Sequence, residues 1–64
     1  MIFLTEREIE ILRLMEAGLT NRQIATKLVI TIGTVKTHVH NITEKLNSKT
    51  RTHTVTRARE LNLL

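Results

Sequence analysis

A stripe of apolar side chains in the second half of this 64-residue chain constrains its fold more than any other feature. Its members recur at spacings of 3, 4, 3 and 4 residues: Ile32, Val35, Val39, Ile42 and Leu46. At 100° per residue they share an arc of about 80° on one side of an α-helix, whereas a strand would need a period of two. The stripe therefore predicts a helix over about 32–46 with one side in a core, despite the modest helix propensity of its β-branched residues.

Threonines mark the predicted starts of the helices. The four candidates for the N-cap position are Thr5, Thr20, Thr31 and Thr50. The first two are followed three residues later by Glu8 and Gln23, which completes a capping box: the hydroxyl accepts one amide hydrogen and the longer side chain accepts another. Helices should therefore begin directly after each of these threonines.

Other residues mark where the helices end. Gly18 suits a left-handed terminator, and Asn62 is a weaker one. Val55, Ala58 and Leu61 share one side of the last helix. The predicted helices are 6–17, 21–28, 32–46 and 51–61. Because only a short turn around Val29-Ile30 joins the second helix to the third, we expect an all-α, four-helix bundle that contains a helix-turn-helix, as a single domain over 1–64.

The positive charge is concentrated after the first helix. The net charge is +4, yet positions 21–59 hold eight basic residues against Glu44 alone, and no acidic residue lies between Ala17 and Thr43. This asymmetry favours a polyanionic partner, with nucleic acid first. A membrane surface and RNA are disfavoured as partners because Phe3 is the one aromatic residue. A basic helical module that binds an acidic protein remains the alternative.

The composition also excludes most chemistry. The sequence has no Asp and no Cys, and Ser48 is its one serine, so no nucleophile and base can be assembled and we expect no enzymatic activity. His38 and His40 stand about 200° apart on a helix, so they cannot share a metal ion. We therefore predict neither a metal nor a cofactor.

The start of the third helix has the properties of a DNA-reading surface. Its outer side is small and polar, with Gly33, Thr34 and Thr37. Lys36 and His40 stand beside these residues, where lysine and threonine side chains can reach base edges in a major groove about 12 Å wide. Arg22 and Lys27 on the second helix would flank the groove near the phosphates.

Motifs along nearly the whole chain carry a family resemblance. They are Leu4-Thr5-Glu6-Arg7-Glu8, Ile11-Leu12-Arg13-Leu14, Ala17-Gly18, Thr20-Asn21-Arg22-Gln23-Ile24-Ala25, Leu28, Ile30, Thr34-Val35-Lys36, His38, Asn41-Ile42, Lys45-Leu46 and Arg51. From Leu4 to Leu64 the chain resembles, without a gap, the LuxR-type DNA-binding domain, also called the GerE or FixJ/NarL type. This resemblance implies the C-terminal output domain of a bacterial transcription regulator.

The resemblance also implies roles for particular residues. The positions that match base contacts are Lys36, Thr37 and His40. Those that match contacts to the DNA backbone are Thr20, Asn21, Arg22, Thr34, His38 and Lys45. The last helix matches a dimer contact, with Val55 and Arg59 in the interface. The implied partners are double-stranded DNA, a second copy of the chain and RNA polymerase, in the bacterial cytoplasm and without a membrane.

The sequence departs from the family pattern around the last helix. Asn47-Ser48 stands where the family usually has Gly-Val, so the turn before this helix loses an apolar anchor. Thr54 and Asn62 replace the usual Ala and Gly. We therefore expect the packing and the end of this helix to differ from the family pattern.

Overall fold

The computed structural model describes residues 3–64, which form four α-helices: α1 (Glu6–Glu16), α2 (Asn21–Leu28), α3 (Ile32–Lys45) and α4 (Arg51–Glu60). All four predicted helices are present, and their bounds agree with the prediction to within one residue. The three residues 29–31 join α2 to α3, so these two helices form the predicted helix-turn-helix. The predicted fold class is confirmed.

Each helix begins at a predicted threonine cap. The Thr5 hydroxyl accepts the Glu8 amide hydrogen at 3.1 Å, and Glu8 Oε1 accepts the Thr5 amide at 2.8 Å. Thr20 and Gln23 repeat this reciprocal pair at 3.2 and 2.8 Å. Both predicted capping boxes are therefore formed, which satisfies amides that would otherwise have no partner in the helix.

Each helix is followed, within two residues of its end, by a residue with a positive φ angle. These residues are Gly18 (92°), Val29 (56°), Asn47 (50°) and Asn62 (58°). The amide that follows each of them donates to a carbonyl five residues back, as Leu19 does to Leu14 at 3.1 Å. This arrangement is the Schellman motif. Gly18 and Asn62 were expected in it, whereas the left-handed valine was not.

The core draws on all four helices and on Leu4, which precedes the Thr5 cap of α1. Its buried apolar side chains are Leu4, Ile11, Leu12, Met15, Ile24, Ala25, Val35, Ile42, Leu46 and Ala58. Ile32 and Val39, from the predicted stripe, are half-buried at its edge. On α4 the buried residues are Thr54 and Ala58, while Leu61 is 39% exposed.

The longest helix of residues 3–64 is α3, with 14 residues. About 20 apolar residues are needed to cross a bilayer as a helix. No helix in this part of the chain has the length and apolar character for that role.

Candidate nucleic-acid interface

The three predicted base-contacting residues share the exposed side of α3. Lys36, Thr37 and His40 are exposed, while Val35 and Ile42 on the opposite side are fully buried. Within residues 3–64, no side chain forms a hydrogen bond or ion pair with Lys36. The core thus orients α3 so that an unpaired ammonium group faces outward.

Thr37 and His40 each have a polar neighbour on the same helix. The Thr37 hydroxyl donates to the Gly33 carbonyl at 3.1 Å. Because its hydrogen is engaged there, Thr37 presents oxygen lone pairs and a methyl group, which suit a base amino group or the methyl group of thymine. His40 Nε2 lies 3.9 Å from Glu44 Oε1, and both side chains are about 70% exposed. Glu44 therefore lies beside His40 on the same exposed face.

Space around Gly33 is open. A Cβ atom added there would meet only the Thr31 hydroxyl oxygen, at 3.9 Å. Packing within the chain therefore does not require glycine at this position. Because Gly33 has no side chain, the backbone of the first turn of α3 stays exposed beside Lys36 and Thr37.

The first turns of α2 and α3 contain no acidic residue that would offset the positive end of the helix dipole. The first turn of α1 contains Glu6 and Glu8, whereas the first turns of α2 and α3 contain no acidic residue. Arg22 is exposed in the first turn of α2. Because free amides and the helix dipole make a helix N-terminus positive, these two ends favour phosphate groups.

Four of the predicted backbone contacts, Thr20, Asn21, Thr34 and Lys45, already have partners within residues 3–64. The Thr34 hydroxyl lies 2.9 Å from that of Thr31, which caps α3. Asn21 Oδ1 accepts from Arg51 at 2.7 Å. His38 is half-buried. Thr20 serves as the cap of α2, so its hydroxyl oxygen is engaged by an amide while its hydrogen remains available.

Lys45 makes the closest ion pair in residues 3–64. Its Nζ lies 2.7 Å from Glu8 Oε1. Burial alone would raise the pKa of Glu8. The hydrogen bonds from Lys45 and the Thr5 amide outweigh this effect, so the pKa lies below its ordinary value of 4.5. Lys45 retains two N–H donors for a phosphate. The sequence carried no sign of this pair, because 37 residues separate its members.

The two predicted dimer residues line one groove between α1 and α4. The groove is lined by Met15, Arg51, Thr52, Val55, Thr56 and Arg59. Val55 is half-buried, and Arg59 Nε donates to Glu16 Oε2 on α1 at 2.8 Å. The structure therefore brings Val55 and Arg59 to the same surface.

Comparison with known proteins decides the family. The family described as bacterial regulatory proteins, luxR family, matches residues 3–58. The chain belongs to the luxR family. This membership confirms the resemblance drawn from the sequence motifs.

Relatives of this luxR-family domain are response regulators. The response regulator protein VraR of Staphylococcus aureus (strain Mu3) is 52% identical over 61 residues, which cover 95% of the chain and 29% of VraR. VraR of Staphylococcus epidermidis gives the same values. A crystal structure of the response regulator ChrA in a heme-sensing two-component system superposes with a TM-score of 0.95 at 50% identity, over 97% of the chain and 31% of ChrA.

The luxR-family domain thus spans less than a third of the length of these relatives. It is a helix-turn-helix DNA-binding domain of transcription regulation and is not an enzyme. The residues assigned to base, backbone and dimer contacts stay predictions.

Proposed function

We propose that the domain binds double-stranded DNA sequence-specifically by placing α3 in the major groove. Lys36, Thr37 and His40 then face the base edges. This proposal rests on one observation. Within residues 3–64, Lys36 lies on the exposed side of α3 with its ammonium group unpaired, beside Gly33, where no side chain covers the backbone. An ammonium group donates to O6 and N7 of guanine, while Thr37 accepts from an amino group or contacts a methyl group.

Phosphate contacts hold α3 in the groove. The proposed residues are Thr20, Asn21, Arg22, Thr34, His38 and Lys45. Asn21 and Arg22 lie in the first turn of α2, and Thr34 lies in the first turn of α3. Neither of these first turns contains an acidic residue. Contacts of this kind fix the position and orientation of the domain but do not read sequence.

A second copy of the chain completes the proposed complex through α4. Val55 supplies apolar contact area and Arg59 a polar margin, since both line the groove between α1 and α4. If this two-fold dimer binds two inverted half-sites one helical turn apart, its two copies of α3 lie about 34 Å apart. The DNA-bound dimer acts in the bacterial cytoplasm, where it contacts RNA polymerase.

The test of groove binding is the affinity of Lys36→Ala for a duplex isolated by selection, measured by fluorescence anisotropy. We expect a loss of about 1–3 kcal/mol and relaxed preference at one or two base pairs. Lys49→Ala is the matched control, because it removes the same charge from the exposed turn before α4. If both variants bind alike, the assignment of α3 to the groove is wrong.

Competition with heparin in the same anisotropy measurement separates DNA binding from the alternative function, in which the basic residues bind an acidic protein. A groove reader prefers the selected duplex over heparin at equal charge concentration. A module for acidic proteins shows no such preference, and its affinity does not depend on duplex sequence.

The dimer is tested by Val55→Glu, which buries a charge in the proposed interface. We expect this variant to protect one half-site in a footprint where the wild type protects two. His53→Glu places the same charge on an exposed part of α4 outside the groove, so it should still protect two. Two protected half-sites with Val55→Glu would contradict the α4 interface.

A further inference from the structure

Arg51 connects the first turn of α4 to the start of α2. Its Nη1 donates to Asn21 Oδ1 at 2.7 Å, and its Nη2 donates to the Leu19 carbonyl at 2.7 Å. Because the guanidinium group is planar, two bonds from its two terminal nitrogens fix its orientation. Arg51 therefore holds the Asn21 side chain from one side, although 30 residues separate them.

This contact determines which end of the Asn21 amide remains available. A guanidinium group has donors and no acceptor, so it can bind only the oxygen of the amide. The Asn21 Nδ2 group, with its two N–H donors, is left for another partner. Asn21 is the first residue of α2, beside the exposed Arg22 and in a first turn without acidic residues.

A phosphate oxygen accepts hydrogen bonds and cannot donate one. Within the Asn21 side chain, only the Nδ2 end can therefore donate a hydrogen bond to the DNA backbone. Without Arg51 the amide would be free to rotate by 180°, and part of the population would turn its oxygen toward the phosphate. The geometry thus connects a residue of α4 to the chemistry of the α2 N-terminus.

We propose that Arg51 is a positioning residue for DNA binding: it holds the Asn21 amide with Nδ2 toward a phosphate and does not itself contact DNA. This inference rests on the proposed function, which places Asn21 against the DNA backbone. It assigns to Arg51 a role that the family motif around it does not specify.

A double-mutant cycle in DNA affinity tests the coupling. The proteins are the wild type, Arg51→Ala, Asn21→Ala and the double variant, measured on the selected duplex well below their melting temperatures. Each single substitution should weaken binding about tenfold, the size of one hydrogen bond to a charged group. The double variant should bind no more weakly than Asn21→Ala. Additive losses would overturn the proposal.

The salt dependence distinguishes positioning from direct contact. In Arg51→Ala the slope of log K against log salt should equal that of the wild type, because no phosphate-neutralising group is lost. If Arg51 itself neutralised a phosphate, the magnitude of the slope would fall by about 0.9. That result would overturn the positioning role. Arg13→Ala removes the same charge from α1, which carries none of the proposed contacts, and serves as the control.

Asn21→Asp should lower the DNA affinity of the domain without lowering its melting temperature. The carboxylate still accepts from Arg51, and an acidic residue in the first turn of a helix is favourable, so the melting temperature should be kept or raised. DNA affinity should fall by more than in Asn21→Ala, because the donor is replaced by a negative charge. Wild-type affinity in Asn21→Asp would overturn the proposal.

These experiments distinguish a failure of the positioning role of Arg51 from a failure of groove binding by α3. If Lys36→Ala loses affinity while Arg51→Ala binds like the wild type, the positioning role fails and groove binding stands. If the wild type has no preference for duplex DNA, groove binding fails, and the role of Arg51 falls with it.

Discussion

Lys45 Nζ lies 2.7 Å from Glu8 Oε1, and this ion pair joins the last turn of α3 to the first turn of α1. Glu8 is 3% exposed, and the same oxygen also accepts the Thr5 amide of the capping box. One carboxylate thus closes the start of α1 and anchors the end of the helix proposed to enter DNA. The position of α3 in the domain depends in part on this contact.

Glu8→Gln should lower the free energy of unfolding by about 1 kcal/mol at pH 7. A glutamine still accepts the Thr5 amide, as Gln23 does for Thr20 in α2, so the variant removes the charge and keeps the cap. Charge-assisted hydrogen bonds contribute more than this, but Lys45 is over a third exposed and solvent screens the pair. Urea denaturation measures the difference, and equal stability would show that the pair contributes nothing.

The effect of Glu8 should depend on pH in one direction. Because its folded-state pKa lies below the ordinary value of 4.5, its contribution is complete above pH 4.5 and is lost as the pH falls through the lower folded pKa. The stability difference between the wild type and Glu8→Gln should therefore shrink as the solution is acidified below pH 4.5. A difference that grows in acid would contradict the lowered pKa.

Val29→Gly should stabilise the domain by about 1 kcal/mol. Val29 is 89% exposed with φ of 56°, so the wild type gains little from its burial and bears the steric cost of a β-branched residue in the left-handed region. For a domain of this size, that gain corresponds to a melting temperature about 4–8 °C higher.

Gly18→Ala is the matched control for this prediction. Gly18 has φ of 92°, and an added Cβ there would meet no atom within 4 Å, so the substitution tests backbone strain alone. It should destabilise the domain by about 1 kcal/mol. If Val29→Gly lowered the melting temperature, as Gly18→Ala should, the result would contradict a steric cost at Val29.

Ser48 and Thr54 should be coupled in stability. Their hydroxyl oxygens lie 2.6 Å apart, and the fully buried Thr54 also donates to the Thr50 carbonyl at 2.8 Å. We expect Ser48→Val and Thr54→Ala each to cost about 1–2 kcal/mol, because each removes the partly buried hydrogen bond between the two hydroxyl groups. The double variant restores the apolar pair usual in the family and should cost less than the sum. Additive costs in urea denaturation would refute the coupling.

The features predicted correctly from the sequence are those that depend on nearby residues. A threonine cap and its capping-box partner are three residues apart, and the stripe from Ile32 to Leu46 repeats within one helix. Helix bounds and the exposed side of α3 therefore followed from local patterns. The expected loss of an apolar anchor at Ser48 came instead from comparison with the family pattern.

Contacts between distant residues could not be predicted in this way. Glu8 and Lys45 are 37 positions apart, and Asn21 and Arg51 are 30 apart, so no local pattern links them. The hydroxyl pair of Ser48 and Thr54 spans only six residues, from the turn after α3 to α4, but neither residue type indicates its partner. Val29 adopts its left-handed conformation because the turn between α2 and α3 requires it, although its residue type disfavours that region.

Selection of bound duplexes from a random pool tests the central claim, that α3 reads DNA sequence in the major groove, most directly. The wild type should enrich one motif, present as two inverted half-sites. Lys36→Ala should relax it at one or two positions in each half, and Lys49→Ala should leave it unchanged. Absence of an enriched motif, or the same motif with Lys36→Ala as with the wild type, would contradict the account.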